Sequence, residues 1–253
     1  MVADPPLIWV TRARPGADET AARLRALGFA TLIAPVIETR AIAPDPAGWP
    51  IFDTVAFTSA EAVRVFSGLT SDRTARAFAV GDATALVAAA SGWRSVTSAS
   101  GNVDDLVRLI ASDPQATSIL HPCAEVTAGD LVGALVATGR RVLPMPVYRT
   151  HQIDPPADEL VQRILVGGIS GVSVYSPSAA DGIVRWLKPF GGLPQAILFA
   201  LSDQCAETLQ GTRFREIVIS PFPREAALLK VISDTFAQAG FCRPPSPERP
   251  VSP

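Results

Sequence analysis

Hydroxyl-bearing residues recur in short loops that each follow an apolar run and precede a segment with helical periodicity. Six such loops lie at 58–59, 81–84, 100–102, 176–178, 202–205 and 220–223. In open α/β sheets, ligands bind beyond the carboxyl ends of the strands, where helix N-termini present unpaired N–H groups to anions. N-capping alone explains a Ser or Thr in any single loop. Taken together, the loops predict a site for a small anionic ligand.

Three further polar residues could act in such a site. Arg12 and Arg14 follow the first predicted strand, where a guanidinium group could pair with a carboxylate through two hydrogen bonds. Tyr148 lies in a segment that we interpret as a linker, and its hydroxyl group could donate a hydrogen bond to a leaving group or hold a water molecule. The alternative interpretation of Tyr148 is an aromatic ring that packs at a domain junction.

Motifs for other common chemistries are missing from the sequence. It contains no G-x-x-x-x-G-K-[ST] loop, no G-x-G-x-x-G after a strand and no G-x-S-x-G turn, which argues against nucleotide-binding enzymes and serine hydrolases. His121 and Cys123 could form half of a metal site, but no second pair of ligands lies nearby in the sequence, and His151 falls on a predicted linker. The cysteines at 123, 205 and 242 match no disulfide framework or zinc spacing, so we expect reduced thiols. We expect no metal and no cofactor.

Composition argues against several classes of protein. Hydrophobic residues make up 48% of the chain and charged residues 18%, which is unlike an intrinsically disordered protein. A net charge of -2 disfavours a general nucleic-acid binder, which would carry a basic face. No apolar run is long enough for a membrane span, and the N-terminus lacks the basic region of a secretory signal. We therefore expect a cytoplasmic monomer that binds a small molecule, with no nucleic acid and no membrane among its partners.

Short apolar runs alternate with helical segments, which is typical of parallel sheets covered by helices. In the first half, strands are predicted over 7–11, 30–37, 53–57, 76–80 and 118–120, and helices over 18–27, 60–66, 83–90 and 129–138. Pro144 and Pro146 are expected to divide the next apolar run into two strands. The hydroxyl-bearing loops therefore all fall at predicted strand ends.

The second half of the chain repeats the pattern of the first. Matched residues, separated by a nearly constant offset of about 120 positions, are Thr58 with Ser176, Asp82 with Asp203 and Leu106 with Leu228. Any α/β protein repeats strand, turn and helix, and that is the simpler explanation. Ordered matches at a constant offset favour two similar domains instead.

The first predicted strand–helix–strand, over 7–37, has no counterpart at the start of the second half. We therefore expect residues 1–38 to complete a discontinuous domain with residues 153–240. Residues 41–147 would form the other domain, inserted into the first. The predicted fold is two similar three-layer α/β domains with parallel sheets, joined by a two-stranded ladder of linkers. The proline-rich tail over 243–253 has no apolar face, and we expect it to be disordered.

Nine segments along the chain have an order and spacing that can be compared with known families. They are VTRARPG at 10–16, VAFTSAEAV at 55–63, AVGDATA at 79–85, SGNVDDL at 100–106, ILHPCAE at 119–125, ALVATGRRV at 134–142, PVYRT at 146–150, VYSPSAA at 174–180 and SPFPREAAL at 220–228. Their arrangement resembles the uroporphyrinogen-III synthase family over residues 7–236, nearly the whole chain apart from the tail.

The resemblance implies two α/β domains, one interrupted by the other, and an enzyme of heme biosynthesis that needs neither metal nor cofactor. The family cyclises hydroxymethylbilane to uroporphyrinogen III. The substrate loses its terminal hydroxyl as water to leave an azafulvene-like cation, and attack through the substituted carbon of ring D gives a spiro intermediate whose rearrangement inverts that ring. Backbone amides and hydroxyls at helix N-termini could receive the eight substrate carboxylates without a basic protein surface.

Carried over residue by residue, the resemblance places the family's important tyrosine at Tyr148, which we expect to assist departure of the hydroxyl group. Thr84, beside Gly81, matches the hydroxyl of the first glycine–threonine loop. Further substrate-binding positions that match are Arg12, Ser59, Ser176 and Ser178. The chain departs from the family pattern in its second such loop, where it has Ser202 and Cys205. We assign Cys205 no catalytic role.

Two other functions stay open at this point. A two-domain protein that binds or senses a small polyanionic ligand without catalysis would have the same domain count and charge, although it would not need Tyr148 at a linker. A member of the synthase family that has lost its activity would also fit, and the changed loop over 202–205 supports that alternative.

Overall fold

The computed structural model describes residues 4–42, 49, 51–127, 129–155 and 157–240. The tail expected over 243–253 lies outside these residues, as do Cys242 and the prolines at 44, 46 and 50. The chain divides into two compact units. We call them the split unit, made of Met1–Glu38 and His151–Pro253, and the continuous unit, made of Thr39–Thr150.

Strands and helices alternate along most of the chain. The strands are β1 (Leu7–Val10), β2 (Ala30–Ile33), β3 (Ile37–Ala41), β4 (Thr54–Phe57), β5 (Arg76–Ala79), β6 (Val96–Ser98), β7 (Ser118–Ala124), β8 (Arg141–Gln152), β9 (Gly171–Val174), β10 (Gly192–Ala200) and β11 (Arg213–Ile219). The helices are α1 (Gly16–Ala26), α2 (Ala60–Leu69), α3 (Asp82–Ala90), α4 (Val103–Ala111), α5 (Leu131–Ala137), α6 (Ala157–Leu165), α7 (Pro177–Leu187), α8 (Asp203–Glu207) and α9 (Glu225–Gln238). None of the helices in the described part of the chain combines the length and the hydropathy that crossing a lipid bilayer would require.

The sheet of the split unit has the strand order β11-β10-β9-β1-β2, and its neighbouring strands are parallel. The N-terminal strand β1 pairs with β2 on one side and with β9 on the other, where Val10 lies opposite Ser173. The Thr11 hydroxyl donates to the Ser173 carbonyl at 2.7 Å, which extends that pairing past the end of the strand. A central position explains the wholly apolar sequence of β1, because a strand covered on both faces buries side chains on each of them, and Ile8, Trp9 and Val10 are fully buried.

Helices cover both faces of this sheet. Trp9 of β1 belongs to a core cluster with residues of α6, α7 and α8, and its indole N–H donates to the Ala34 carbonyl at 2.7 Å. The adjacent residues Ile8 and Val10 pack instead with α1 and α9 in a second cluster that includes Leu24. Such alternation along one strand is expected for a parallel sheet between two helical layers. The predicted α/β class with parallel sheets is confirmed.

The sheet of the continuous unit has the order β3-β8-β7-β4-β5-β6. The pairs from β8 to β6 are parallel. The strand β3 runs antiparallel to β8, since the Ile42 N–H donates to the Val147 carbonyl and the Ile153 N–H donates to the Val36 carbonyl. These two strands also contain both points at which the chain passes from one unit to the other.

Aromatic side chains fill the core on one face of the continuous unit's sheet. Phe66 of α2 stacks with Trp93 at a centroid distance of 6.0 Å, and Phe57 of β4 meets Trp93 edge-on at 5.5 Å. The indole N–H of Trp93 donates to the Ser67 hydroxyl at 3.0 Å. Each such ring pair adds about 0.5–1.5 kcal/mol beyond its burial. This cluster fixes α2, the helix that begins after Ser59, while α4 and α5 cover the opposite face.

Within the described residues, the five strands of the split unit's sheet have the same order as five of the six strands of the other sheet, in which β3 is the additional strand. β9, β10 and β11 correspond to β4, β5 and β6, while β1 and β2 take the positions of β7 and β8. Ser176 and Ser59 are equivalent, because each follows the first of these strands by two residues and caps the next helix. The predicted match of Thr58 to Ser176 is therefore wrong by one residue. The correct alignment of the two halves matches the N-cap residues of α2 and α7, Ser59 and Ser176.

The strand β8 runs unbroken through Pro144 and Pro146, so the predicted division at these prolines is wrong. Proline lacks an N–H donor, but its φ suits extended backbone and its carbonyl group still accepts hydrogen bonds. Pro146 lies opposite Cys123 of β7, and the register of the two strands shifts immediately afterwards. The prolines therefore mark a local irregularity in the pairing and not the end of a strand.

Candidate functional site

Two of the predicted site residues meet in the continuous unit. Ser59 follows β4 as the N-cap of α2, and Tyr148 of β8 lies opposite Ala124, the last residue of β7. The hydroxyl oxygens of Ser59 and Tyr148 are 3.2 Å apart, although 89 residues separate them in the sequence. The structure therefore brings these two hydroxyl groups together beside the carboxyl ends of β4 and β7.

The hydroxyl group of Ser59 has two contacts. Its oxygen accepts from the Ala62 N–H at 3.1 Å, which satisfies one of the donors that a helix N-terminus leaves unpaired. A hydroxyl group that accepts through one lone pair keeps its own proton. Ser59 can therefore donate to the Tyr148 oxygen, and the Tyr148 O–H is then available to another acceptor.

The surroundings of Tyr148 keep its phenol protonated. Burial raises the pKa of Tyr148 above its ordinary value, the hydrogen bond with Ser59 lowers that pKa by less, and the Glu61 carboxylate and the Cys123 sulfur raise it further. A neutral phenol can donate a hydrogen bond or a proton to an oxygen atom. Tyr148 is therefore suited to the role of an acid rather than to that of a base.

The next strand-end loop contains Gly81 and Thr84. The Val80 N–H donates to the Phe57 carbonyl at 2.9 Å, so the loops after β4 and β5 begin side by side. A Cβ added to Gly81 would meet nothing nearer than the Gly101 carbonyl at 3.9 Å, and the Gly81 φ of -158° is open to any residue. Local sterics therefore do not require glycine here, whereas a ligand that approaches the backbone would. Thr84 lies in the first turn of α3 and is 7% exposed.

The loop over 100–102 is occupied by contacts within the protein. Ser98 and Ser100 donate their hydroxyl groups to the Asp82 carboxylate at 2.7 and 2.8 Å. Asn102 caps α4 in a reciprocal arrangement with Asp105, in which each side chain bonds the other residue's N–H. N-capping is therefore a sufficient explanation of this loop.

In the split unit, Ser176 is the N-cap of α7. Its hydroxyl oxygen accepts from the Ala179 N–H at 3.2 Å. Pro177 occupies the first turn, where its missing N–H would have had no partner within the helix. Ser178 is exposed in the same turn. The strand before them, β9, is next to β1, so Ser176 lies at a strand end adjacent to that of Arg12.

Arg12 packs among strand-end side chains of the split unit. Its guanidinium carbon lies 4.6 Å from the centroid of the Tyr175 ring. Its Nη1 donates to the Thr20 hydroxyl at 3.4 Å and lies 3.7 Å from the Glu225 carboxylate. The other predicted arginine, Arg14, instead forms an exposed ion pair with an aspartate four residues further along the chain. Arg12 therefore lies among strand-end side chains, whereas Arg14 is paired at the surface.

Three residues that sequence reasoning did not select contact Arg12: Thr20, Tyr175 and Glu225. Thr20 donates to the Glu225 carboxylate at 2.5 Å, across 205 residues of sequence. The Tyr175 hydroxyl oxygen is buried, and burial, followed by the nearby Glu225 charge, raises the pKa of Tyr175 by more than the Arg12 charge and the contact with the Thr20 hydroxyl lower it. The available signals were weak, since Tyr175 precedes the hydroxyl-bearing loop at 176–178 and Glu225 lies shortly after the one at 220–223. No local pattern reveals that they share a cluster.

In the loop in which the chain departs from the family pattern, Cys205 packs into the core. The Ser202 hydroxyl contacts the Cys205 sulfur at 3.4 Å, and Cys205 is 1% exposed. Burial raises the pKa of the Cys205 thiol, which disfavours a reactive thiolate. Cys205 thus has the properties of a packing residue.

His121 and Cys123 are both buried in the strand β7. His121 is 3% exposed, its Nδ1 lies 2.9 Å from the Ala56 carbonyl, and burial lowers its pKa. Burial also raises the pKa of the Cys123 thiol. Within residues 4–42, 49, 51–127, 129–155 and 157–240, no group of three or more His, Cys, Asp or Glu side chains is placed to hold a metal ion.

Comparison with known proteins connects this geometry to a family. A family model described as "Uroporphyrinogen-III synthase HemD" matches residues 18–230. The uroporphyrinogen-III synthetase structure from Helicobacter pylori has a TM-score of 0.59 at 18% identity, and the match covers 91% of this chain and 99% of that one. A mutant uroporphyrinogen III synthase from the extremely thermophilic bacterium Thermus thermophilus has a TM-score of 0.51 at 18% identity, with coverages of 92% and 99%.

At this identity, the two solved structures show a common fold and no more. The comparison with curated proteins gives no match. The family model, in contrast, extends over most of the sequence and includes both units. The chain therefore belongs to the uroporphyrinogen-III synthase family.

Proposed function

We propose that this chain closes hydroxymethylbilane to uroporphyrinogen III and that Tyr148 assists the loss of water. Members of the family are cyclising lyases of heme biosynthesis that act on a small tetrapyrrole, and this chain is one of them. The observation that carries the proposed chemistry is the pair of hydroxyl groups of Ser59 and Tyr148, 3.2 Å apart beside the strand ends of the continuous unit.

The first step would break the bond between the terminal carbon of the substrate and its hydroxyl oxygen. The electron pair leaves with the oxygen, which takes a proton from the Tyr148 O–H and departs as water, and the electrons of the pyrrole nitrogen stabilise the azafulvene-like cation that remains. The proton that ring D loses at the final closure restores the phenol. A hydrogen bond from the neutral Tyr148 O–H stabilises the charge that develops on the departing oxygen. Donation from Ser59 to the Tyr148 oxygen strengthens this donor, because hydrogen bonds in a chain polarise one another.

The later steps would depend on holding a flexible substrate in one reactive shape. Attack through the substituted carbon of ring D gives the spiro intermediate, and closure without this control gives the symmetric isomer. Fixing the reacting carbons close together can supply much of the rate. The protein's contribution after the loss of water would therefore be geometric.

Binding of the substrate carboxylates would use the strand-end loops. The N-terminus of α3, with Gly81 and Thr84, and that of α7, with Ser176 and Ser178, offer N–H groups and hydroxyls to anions. Arg12 adds a positive charge at the strand end next to Ser176. We expect the enzyme to act as a cytoplasmic monomer that needs no nucleic acid.

The direct test is to add freshly made hydroxymethylbilane to the purified protein, oxidise the product and separate the isomers by chromatography. The expected result is predominantly the type III isomer, against the type I isomer in a reaction that contains heat-denatured protein. Type I alone, formed at the spontaneous rate, would contradict the proposed activity. Tight binding of the substrate with no type III product would favour the sensor function instead.

A further inference from the structure

The guanidinium group of Arg12 packs against Gly16, the first residue of α1. A Cβ built on Gly16 would lie 2.8 Å from each of Cζ, Nε and Nη2 of Arg12, closer than carbon atoms pack. Equal distances to three atoms of a planar group indicate contact with its flat face. Gly16 begins an α-helix and has no left-handed backbone that would call for glycine. The lack of a side chain at this position is therefore explained by Arg12.

The Tyr175 ring provides a second surface for the same group. It follows β9, the strand next to β1, and its centroid lies 4.6 Å from the Arg12 Cζ. The negative face of an aromatic ring attracts a guanidinium group and restricts its orientation. The ring itself packs against the core cluster that holds α1 and α9, so it offers Arg12 a fixed surface.

A third contact fixes one end of the group and leaves a positive charge. Nη1 of Arg12 donates to the Thr20 hydroxyl at 3.4 Å and lies 3.7 Å from the Glu225 carboxylate. Thr20 donates to the same carboxylate at 2.5 Å, and Arg23 pairs with its other oxygen. This cluster contains two guanidinium groups and one carboxylate, so one positive charge is left for a ligand.

The opposite edge of Arg12, formed by Nε and Nη2, has no hydrogen-bond partner among the residues that the structure describes. Neither nitrogen is a buried atom without a partner, so both reach solvent, and the side chain is 31% exposed. Two parallel N–H groups on one guanidinium edge match the two oxygens of a carboxylate. The edge is therefore both free within the described structure and accessible.

We propose that Gly16 and Tyr175 are positioning residues, which hold the guanidinium group of Arg12 so that its Nε–Nη2 edge receives a carboxylate of the tetrapyrrole substrate. This inference rests on the proposed role of Arg12 in substrate binding. Gly16 acts through the space that it leaves, and Tyr175 acts through its ring. Neither residue touches the reacting atoms.

The central experiment compares Gly16→Ala with Gly211→Ala in steady-state kinetics with hydroxymethylbilane. The methyl group of Gly16→Ala would meet the far end of a flexible side chain, so the fold is kept while the guanidinium group is displaced. Loss of a charge-assisted pair raises KM about tenfold, and kcat stays within about twofold because the reacting atoms are not involved. Gly211 lies in the same unit with no atom within 4 Å of an added Cβ, so Gly211→Ala should leave both constants unchanged.

A second pair of variants tests the ring. Tyr175→Leu should raise KM, whereas the conservative Tyr175→Phe should keep KM at the value of the wild type, because phenylalanine retains the aromatic face. Thermal unfolding of each variant separates displacement of Arg12 from a general loss of structure. Loss of the KM effect when Gly16→Ala is combined with Arg12→Ala would show that the methyl group acts through Arg12.

The outcomes separate this inference from the proposed function. If Arg12→Ala raises KM while Gly16→Ala and Tyr175→Leu do not, the positioning role is overturned and the binding role of Arg12 stands. If Arg12→Ala leaves KM unchanged, the binding role itself is wrong and the positioning role falls with it. Additive effects of Gly16→Ala and Arg12→Ala would also overturn the inference, since residues that act through one contact are not additive.

Discussion

The hydroxyl oxygens of Ser59 and Tyr148 lie 3.2 Å apart, and the Ser59 oxygen also accepts from the first turn of α2. One serine therefore caps a helix and supports the phenol of a tyrosine that lies on a different strand. The aromatic core beneath α2 fixes the serine, and through it the tyrosine hydroxyl. The helix cap and the contact with Tyr148 therefore share one residue, and mutations can separate their effects on stability and on the proposed catalysis.

Replacement of Tyr148 with phenylalanine should lower the rate of type III formation with little change in stability. The ring stays in place, while the O–H donor to the departing oxygen is lost. A positioned acid contributes about a hundredfold or more, so we expect kcat to fall by about that factor. Initial rates and the thermal unfolding midpoint are the two measurements. A variant with the rate of the wild type would remove Tyr148 from the mechanism.

The caps of two equivalent helices allow a matched comparison. Ser59→Ala and Ser176→Ala each remove an oxygen that accepts from an N–H in the first turn, and each should lower the free energy of unfolding by about 1 kcal/mol. Only Ser59 also supports Tyr148. Denaturant unfolding should therefore give similar losses for both variants, whereas kcat should fall for Ser59→Ala and KM should rise for Ser176→Ala. Equal losses of kcat would mean that disturbed helix ends, and not the tyrosine contact, slow the reaction.

Asp53 should make the free energy of unfolding decrease as the pH falls below about 4. Its carboxylate accepts from the Thr117 hydroxyl at 2.5 Å, the Ser118 N–H at 3.0 Å and the Thr54 hydroxyl at 2.7 Å, which ties the amino ends of β4 and β7 together. Burial raises the pKa of this carboxyl, but the hydrogen bonds from Thr117, Thr54 and Ser118 together outweigh it and hold the pKa below its usual value.

A carboxyl whose folded-state pKa is lowered stabilises the protein above its unfolded-state pKa. That contribution is lost as the pH falls from about 4 through the folded-state pKa. We expect Asp53→Asn to be less stable than the wild type at pH 7 and to lose less stability on acidification. Urea unfolding at about pH 7 and at about pH 3.5, on either side of the ordinary carboxyl pKa, measures both differences. If acidification destabilises the two proteins equally, Asp53 is not a source of the acid sensitivity.

Close packing of α7 should make Gly182 intolerant of a side chain. A Cβ at Gly182 would lie 2.9 Å from a methyl carbon of Val36 and 3.1 Å from its carbonyl oxygen, so Gly182→Ala should cost about 1–3 kcal/mol. Gly68 of α2 is the matched control, because it is exposed with no atom within 4 Å of an added Cβ. Gly68→Ala should instead stabilise the protein by about 0.5 kcal/mol. Equal unfolding free energies for the two variants would contradict the close approach of α7 to Val36.

The fold could be predicted from the sequence wherever the signal was local. The apolar run of β1 indicates a buried strand, and Ser59 indicates a helix start, each from a few neighbouring residues. No helix was predicted over α6, although Leu160 and Ile164 have helical spacing. The proline pair at 155–156 indicates a linker rather than the start of a helix. The packing of Leu160 in the core of the split unit stabilises α6, and this contact is evident only from the structure.

The candidate site was predictable in part for the same reason. The positions of hydroxyl groups at strand ends can be predicted from the order of strand, loop and helix, which a short stretch of sequence reveals. The partners of Arg12 come from distant segments, and the contact between Thr20 and Glu225 spans 205 residues. Such a cluster depends on the strand order of the sheet, and no sequence window contains it.

The position of β1 in its sheet has a consequence for how the protein is made. The Leu7 N–H donates to the Ser170 hydroxyl across 163 residues, and β1 is hydrogen-bonded to β9. A ribosome releases β1 early, but its neighbour emerges only after the whole continuous unit has been synthesised. Until then, one apolar edge of β1 has no native partner, and such edges promote aggregation. The strand β1 is therefore completed on that side only after the continuous unit has been made.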